Sequence, residues 1–295
     1  MSTNSNYTRR LDMKHFMFAM DTCFTNSIVG VYPYEIRCAM LAELGYDGIY
    51  VSLSPKELQN ASQMAVTKKQ YGIEVIAAYG GLDIAAEKSA PKVQQVAKLF
   101  DQLPGGCDLE LSLSCSDNSI GRSSSDGDSK ARETLEALLS IAEHQRANVC
   151  LYPHFGAWLE RIEDGVRLCR KMNHPRLKVV FCGFHWYAVD GKDIAGRIDE
   201  ASPYLHSVNM CGTRKGGNIA GCTIEPLDCG EMDNFALLSL LNRSGYTGRI
   251  GFQGYSIGGD VYAYLRRSLL AFRDMEVRLE RHPNWGELVH VGRSS

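Results

Sequence analysis

Short apolar runs alternate with amphipathic helical patterns along most of the chain, and this alternation limits the fold more than any other feature of the sequence. Such an order predicts a parallel sheet, and eight strand–helix units suit a single (β/α)8 TIM barrel of ~250 residues. No GxGxxG motif follows the first strand and no P-loop is present, so nothing favours an open doubly wound sheet. The predicted strands are residues 16–20, 47–51, 74–78, 109–113, 149–151, 178–181, 207–210 and 250–252.

Helical periodicity and capping signals divide the rest of the chain. We predict a flexible N-terminal segment at residues 1–14, one barrel at 15–280 and a C-terminal tail at 281–295. Ser54-Pro55-Lys56-Glu57 has the order of a helix cap, with proline at the first helical position, so we expect a helix to start there. The other predicted helices are residues 33–44, 91–100, 133–143, 158–172, 234–241 and 261–273.

Composition excludes several classes of protein. The formal net charge is −2 without a basic block, so no nucleic-acid partner is expected. No apolar run reaches the ~18 residues of a membrane span, and the run at residues 16–20 is too short for a signal peptide. The ten cysteines form no CxxC pair, which favours reduced thiols and a cytoplasmic protein.

Four of the apolar strands end at a neutral polar side chain. These ends are Tyr152, Cys182, Asn209 and Gln253. In a (β/α)8 barrel the carboxyl ends of the strands surround one mouth, where the chemistry takes place, so we expect the four side chains to face one another. His154 and His185 follow two of these ends. Two histidines among neutral polar groups indicate a sugar-handling site.

Three further residues are weaker candidates for this mouth. Asp21 ends the first strand and is a candidate for substrate binding, although it could equally cap the following loop. Trp186 follows His185 and could stack on the apolar face of a sugar or serve only in packing. Glu110 lies inside the fourth strand, and the sequence leaves open whether its side chain faces the barrel or the helices.

The order of these segments resembles the xylose isomerase-like TIM barrels, a superfamily of sugar isomerases and epimerases. The resemblance rests on Tyr152-Pro153-His154, Cys182-Gly183-Phe184-His185, His206-Ser207-Val208-Asn209 and the closing segment from Gly245-Tyr246-Thr247-Gly248 to Gln253-Gly254. It covers roughly residues 16–273 and is strongest from residue 149 onward. In metal-dependent members, strands five to eight end in Glu, Asp, His and Glu, which bind a divalent ion.

The resemblance therefore implies that every metal-ligand position of this chain is substituted. Tyr152, Cys182, Asn209 and Gln253 stand at those positions, whereas His185 matches a histidine that the family retains. Arg214 is similar to an arginine with which family members hold substrate. Because Mn²⁺ and Mg²⁺ prefer anionic oxygen ligands, we expect no cofactor. The alternative is a divalent metal, zinc or manganese, near Cys182, His185 and His154.

Proton transfer next to a carbonyl remains feasible without the metal. His154 or His185 would be the base, and Tyr152 would donate to the developing oxyanion. Asn209, Gln253, Arg214, Trp186, Asp21 and Cys182 would bind substrate. We thus expect a sugar or sugar-phosphate isomerase or epimerase; the alternatives are a lyase or hydrolase acting on a keto sugar, and a non-catalytic sugar-binding barrel. The partner would be a small carbohydrate, and a homo-oligomer stays open because barrels of this family often associate.

Overall fold

Eight parallel strands pair in chain order, and the last pairs back with the first to close a barrel. The computed structural model describes residues 15–25, 30–87 and 90–287. A short additional strand, β8, lies outside the barrel. The strands are β1 (Met17–Met20), β2 (Gly48–Ser52), β3 (Glu74–Asp83), β4 (Asp108–Ser114), β5 (Val149–Leu151), β6 (Leu177–Cys182), β7 (Leu205–Met210), β8 (Lys215–Ile219) and β9 (Arg249–Phe252).

Helices follow the barrel strands and surround the sheet, which confirms the predicted (β/α)8 fold. They are α1 (Tyr34–Leu44), α2 (Ala61–Met64), α3 (Thr67–Tyr71), α4 (Pro91–Asp101), α5 (Asp128–Gln145), α6 (Ile162–Met172), α7 (Gly183–Ala188), α8 (Ile194–Ala201), α9 (Asn234–Arg243) and α10 (Val261–Arg281). No helix in the described ranges is long and apolar enough to cross a membrane. Residues 1–14 of the predicted N-terminal segment, and 288–295 of the predicted tail, lie outside the described residues.

The helix predicted after Ser54 is divided into shorter pieces. The Ser54 hydroxyl accepts a hydrogen bond from the Glu57 amide at 3.1 Å, so the capping contact forms as predicted. The chain then makes a 3₁₀ turn at Glu57–Asn60, and α2 and α3 follow as separate helices. A local cap sets where a helix starts, but its length depends on packing, which the motif does not encode.

Two apolar layers stabilise the barrel, one between the strands and the helices and a smaller one inside. Glycine allows α6 to approach the sheet closely, since a Cβ on Gly165 would lie 2.6 Å from Val179. The interior cluster contains Phe18, Met20, Tyr50, Ile76 and Ala77, all from β1 to β3. The opposite half of the interior, from β4 to β9, carries polar side chains instead, and these form the candidate site.

Candidate active site at the mouth of the barrel

The His154 and His185 rings lie beside each other above the ends of β5 and β6, with their centroids 4.0 Å apart. The backbone of Phe155 contacts both rings. His154 Nδ1 lies 2.8 Å from the Phe155 carbonyl oxygen, which can only accept, so Nδ1 carries a proton. His185 Nδ1 accepts from the Phe155 N–H at 3.2 Å. A neutral His154 thus has a free acceptor at Nε2, and a neutral His185 has a free N–H at Nε2.

Burial keeps both imidazoles in these neutral forms. The pKa of His154 is lowered from its ordinary value of 6.5 because burial penalises the charged ring. The pKa of His185 is lowered further, first by burial and then by the charge that His154 would carry. At neutral pH the pair therefore offers one acceptor and one donor, the two functions that proton transfer requires.

Tyr152, Cys182 and Gln253 lie beside this pair, and Asn209 occupies the neighbouring position on β7. The Cys182 thiol donates to Gln253 Oε1 at 3.1 Å. Cys182 and Asn209 are register partners on β6 and β7. The Tyr152 ring lies 5.6 Å from the His185 ring, edge to face. All four side chains are buried, and Tyr152, at 1% exposure, is closed off from solvent by its neighbours.

The donor set at these four positions does not fit a divalent metal ion. Burial raises the pKa of the Cys182 thiol to about 11, and the thiol is occupied as a donor to Gln253. Tyr152 also stays protonated, since burial raises its pKa well above the ordinary value. Two neutral protonated groups and two amides provide none of the negative charge with which proteins hold such ions.

Asp21, in contrast, belongs to a buried ion-pair cluster next to the mouth. It accepts from the Ser52 amide at 2.6 Å, and the Arg37 guanidinium lies 3.9 Å from the same oxygen. Arg37 in turn binds both carboxylate oxygens of Glu57, at 2.8 and 3.1 Å. Burial raises the pKa of Asp21 to about 6. These contacts tie Asp21 to β2 and α1 rather than to the loop that follows it, and its substrate-binding role remains a prediction.

The structure does not bring Arg214 and Trp186 to the histidine pair. Arg214 is exposed and forms a two-pronged ion pair with Glu225, at 2.7 and 2.9 Å. Trp186 lies 6.5 Å from the ring of Phe181, and a Cβ on Gly191 would lie 2.3 Å from the indole nitrogen, so the indole is packed against the polypeptide. Either residue would need to move to contact a substrate held by the pair.

The structure settles the orientation of Glu110, which the sequence leaves open. Its side chain faces the barrel interior, is 1% exposed and accepts from the Ser207 hydroxyl at 2.6 Å. Burial raises its pKa to about 7. The available signal was the alternation of Asp108, Glu110 and Ser112 with leucines along β4, since a strand packed on helices turns its apolar residues outward.

A second polar cluster lies at the opposite end of the barrel. Asp108, Cys150 and His206 are the described residues whose potential ligand atoms come within 4.8 Å of one another as a group of three. Asp108 accepts from His206 at 2.8 Å and from Arg249 at 3.1 Å. Burial alone would raise the pKa of Asp108, but the hydrogen bond and charge of His206, with Arg249, hold it below its usual value. A guanidinium at this distance repels a metal ion, so the cluster is better described as an ion-pair network.

The alternative metal set of Cys182, His185 and His154 is not such a group. Within the described ranges, its three potential ligand atoms do not all come within 4.8 Å of one another. All ten cysteines are free thiols in the structure.

The chain belongs to the xylose isomerase-like TIM barrel family, whose sequence model matches residues 38–271. This confirms the family resemblance of the strand-end segments. No curated protein sequence matches the chain.

Solved structures with the same fold include two sugar epimerases and a zinc-binding protein. The 3-keto-D-glucoside 4-epimerase YcjR of E. coli is 17% identical with a TM-score of 0.67, over 88% of this chain and 100% of that one. A D-allulose 3-epimerase from Methylomonas sp. is 14% identical with a TM-score of 0.70, over 89% and 98%. The IolI protein with a bound zinc atom is 13% identical with a TM-score of 0.71, over 88% and 97%.

Proposed function

We propose that the protein is a carbohydrate isomerase or epimerase that moves a proton next to a carbonyl group without the family's usual metal site. The observation that carries the proposal is the neutral histidine pair, in which one ring offers an acceptor and the other a donor. Family membership and the epimerases among the similar structures support the reaction class.

His154 would act as the base. Its Nδ1–H bond to the Phe155 carbonyl fixes the tautomer, so Nε2 is the acceptor that takes the proton from the carbon next to the carbonyl. The imidazolium formed is stabilised by the same hydrogen bond. Return of this proton to the neighbouring carbon, with the hydroxyl proton passing between the two substrate oxygens, would complete an isomerisation. An epimerisation would instead require a second donor that protonates the opposite face of the same carbon.

His185 and Tyr152 would stabilise the enolate. The His185 Nε2–H is free because Nδ1 accepts from the Phe155 amide. The Tyr152 hydroxyl stays protonated because burial raises its pKa, and the Tyr152 ring lies edge to face with the His185 ring. Neutral donors fixed in a buried site stabilise developing negative charge without the reorganisation that water would need.

Two features of the site favour a second candidate, a carbohydrate-binding barrel without catalysis. All four ligand positions carry neutral groups, and Cys182 and Gln253 are bound to each other. A site retained only for recognition needs neither charge nor a free base. A lyase or hydrolase acting on a keto sugar would use the same first proton abstraction, so the product distinguishes it from an isomerase.

Proton exchange in heavy water separates these functions. A panel of ketohexoses is incubated with the protein, and deuterium next to the carbonyl is followed by NMR, with and without a chelator. We expect exchange that survives the chelator and falls about 10²–10⁴-fold in His154→Gln. The matched control is His144→Gln, which changes an exposed histidine on α5.

Each other outcome has a definite meaning. Exchange abolished by the chelator contradicts the metal-free mechanism. Measurable sugar binding without exchange supports the non-catalytic barrel. Unchanged exchange in His154→Gln removes His154 from the role of base.

A further inference from the structure

A second polar layer lies inside the barrel, one step below the mouth. Asn209 is the register partner of Cys182, and Ser207 lies two residues earlier on β7. Glu110 is the register partner of Cys150, two residues before Tyr152. Tyr50 faces the same interior from β2, and its ring stacks on that of Phe18 with centroids 6.2 Å apart. All four side chains are almost fully buried.

Several polar atoms of this layer have no partner among the described residues. They are Glu110 Oε2, Asn209 Oδ1, Asn209 Nδ2 and the Tyr50 hydroxyl. Ser207 satisfies only the other carboxyl oxygen of Glu110. Asn209 opposes, as a small contribution, the rise that burial causes in the pKa of Glu110, yet neither of its amide atoms has a hydrogen-bond partner among the described residues. Each unsatisfied buried polar group costs about 1–3 kcal/mol. Four such atoms close together therefore indicate that another molecule binds among them.

The neighbouring strand cannot supply the missing partners. Asn209 Oδ1 would lie 2.5 Å from a Cβ on Gly251, and the Phe18 ring would lie 2.3 Å from the same atom. A residue larger than glycine at position 251 would therefore overlap the Asn209 amide and the Phe18 ring. The amide is confined between the apolar half of the interior and the β9 backbone.

We propose that Glu110, Asn209 and Tyr50 form a buried subsite that binds one hydroxyl group. A hydroxyl both donates and accepts, so it can accept from Asn209 Nδ2, from Tyr50 or from the protonated Glu110 carboxyl, and it can donate to Asn209 Oδ1. A cation would leave the amide N–H unpaired, and an anion would face the carboxyl group. The hydroxyl comes either from an internal water or from a carbohydrate that reaches down from the mouth.

Crystals of the protein grown without carbohydrate, and others soaked in D-fructose, test the subsite directly. We expect density for one oxygen atom within hydrogen-bond distance of Glu110 Oε2 and the Asn209 amide. If the oxygen density is separate from any sugar in both crystals, the occupant is water. If it is continuous with the density of a bound sugar, the occupant is a carbohydrate hydroxyl. Absence of such density from both crystals overturns the proposal, as does direct pairing of Asn209 with Glu110.

Variants provide the solution test. Asn209→Leu keeps the approximate size of the side chain but removes both polar amide atoms. If this variant fails to fold, Glu110→Gln is used instead, because it keeps the shape of the side chain that it replaces. Water held at the subsite gives an NMR cross-peak to the Asn209 side-chain amide protons, which we expect in the wild type and in Glu110→Gln. No cross-peak to water or sugar in the wild type contradicts the subsite.

The carbohydrate source alone rests on the proposed function. If a sugar hydroxyl occupies the subsite, fructose affinity falls about tenfold in Asn209→Leu, as expected for one hydrogen bond to a buried group. The control Thr134→Val removes a buried hydroxyl on α5, outside the barrel, and leaves affinity unchanged. Absence of fructose binding counts against the proposed function. The oxygen density and the NMR cross-peak still test, independently of that result, whether the subsite binds a hydroxyl group.

Discussion

Replacement of Glu110 by glutamine should remove one pH-dependent contribution to stability. The carboxyl group is 1% exposed, and burial raises its pKa from 4.5 to about 7, although the Ser207 hydrogen bond opposes the change. The folded protein therefore binds this proton more tightly than the unfolded chain does. The stabilisation is fully present below about pH 4.5 and is lost as the pH rises through about 7. The difference in pKa corresponds to about 3 kcal/mol.

Urea denaturation of the wild type and of Glu110→Gln between pH 4 and pH 8 measures this contribution. We expect the free energy of unfolding of the wild type, minus that of the variant, to fall by about 3 kcal/mol across the range. Subtraction cancels groups common to both proteins, including Asp21, whose buried carboxyl titrates at about 6. A difference that is independent of pH, or that grows with pH, refutes the assignment of Glu110 as a buried carboxyl held in its protonated form.

Three further predictions concern the base, the interior and the lower end of the barrel. Proton exchange should be independent of pH above about 6.5, since burial lowers the pKa of His154 below that value; an activity profile still rising at pH 8 contradicts it. Gly251→Ala should lower the free energy of unfolding by about 1–3 kcal/mol, because the new methyl group overlaps an aromatic ring and an amide, whereas Gly258→Ala, with open space around it, should change little on denaturation. Asp108→Asn should cost about 2 kcal/mol in the same assay, because Arg249 loses its carboxylate partner, and the loss should persist in high salt.

The sequence was sufficient to predict the barrel because each strand is an apolar run and the helices between them are amphipathic. It could not predict α7, since α7 begins at Gly183 directly after β6 and has no side-chain cap. The helix α8 was missed although Asp193 caps it by accepting from the Gly196 amide. It could not predict β8 either. That strand forms in a glycine-rich segment through backbone pairing with Cys222, a contact made by the fold rather than by local propensity.

Part of the site was predictable for the same reason. Strand ends of a barrel share one mouth, so the convergence of Cys182 with Gln253 follows from their positions alone. The tautomers of the histidines depend on the Phe155 backbone, and the pairing of Arg214 depends on Glu225, eleven residues later. Such contacts are set by loop conformation, which periodicity does not describe.

The neutral mouth also constrains what the proposed reaction can be. A divalent ion polarises a carbonyl strongly, whereas a His185 N–H and a Tyr152 hydroxyl offer hydrogen bonds alone. The pKa of the His154 base is below 6.5, so it is a weak base as well. A weak base with weaker oxyanion stabilisation can remove only a relatively acidic proton. We therefore expect oxidised sugars that carry a ketone on the ring, whose carbonyl is exposed without ring opening, to be turned over in preference to aldoses, whose carbonyl is masked until the ring opens.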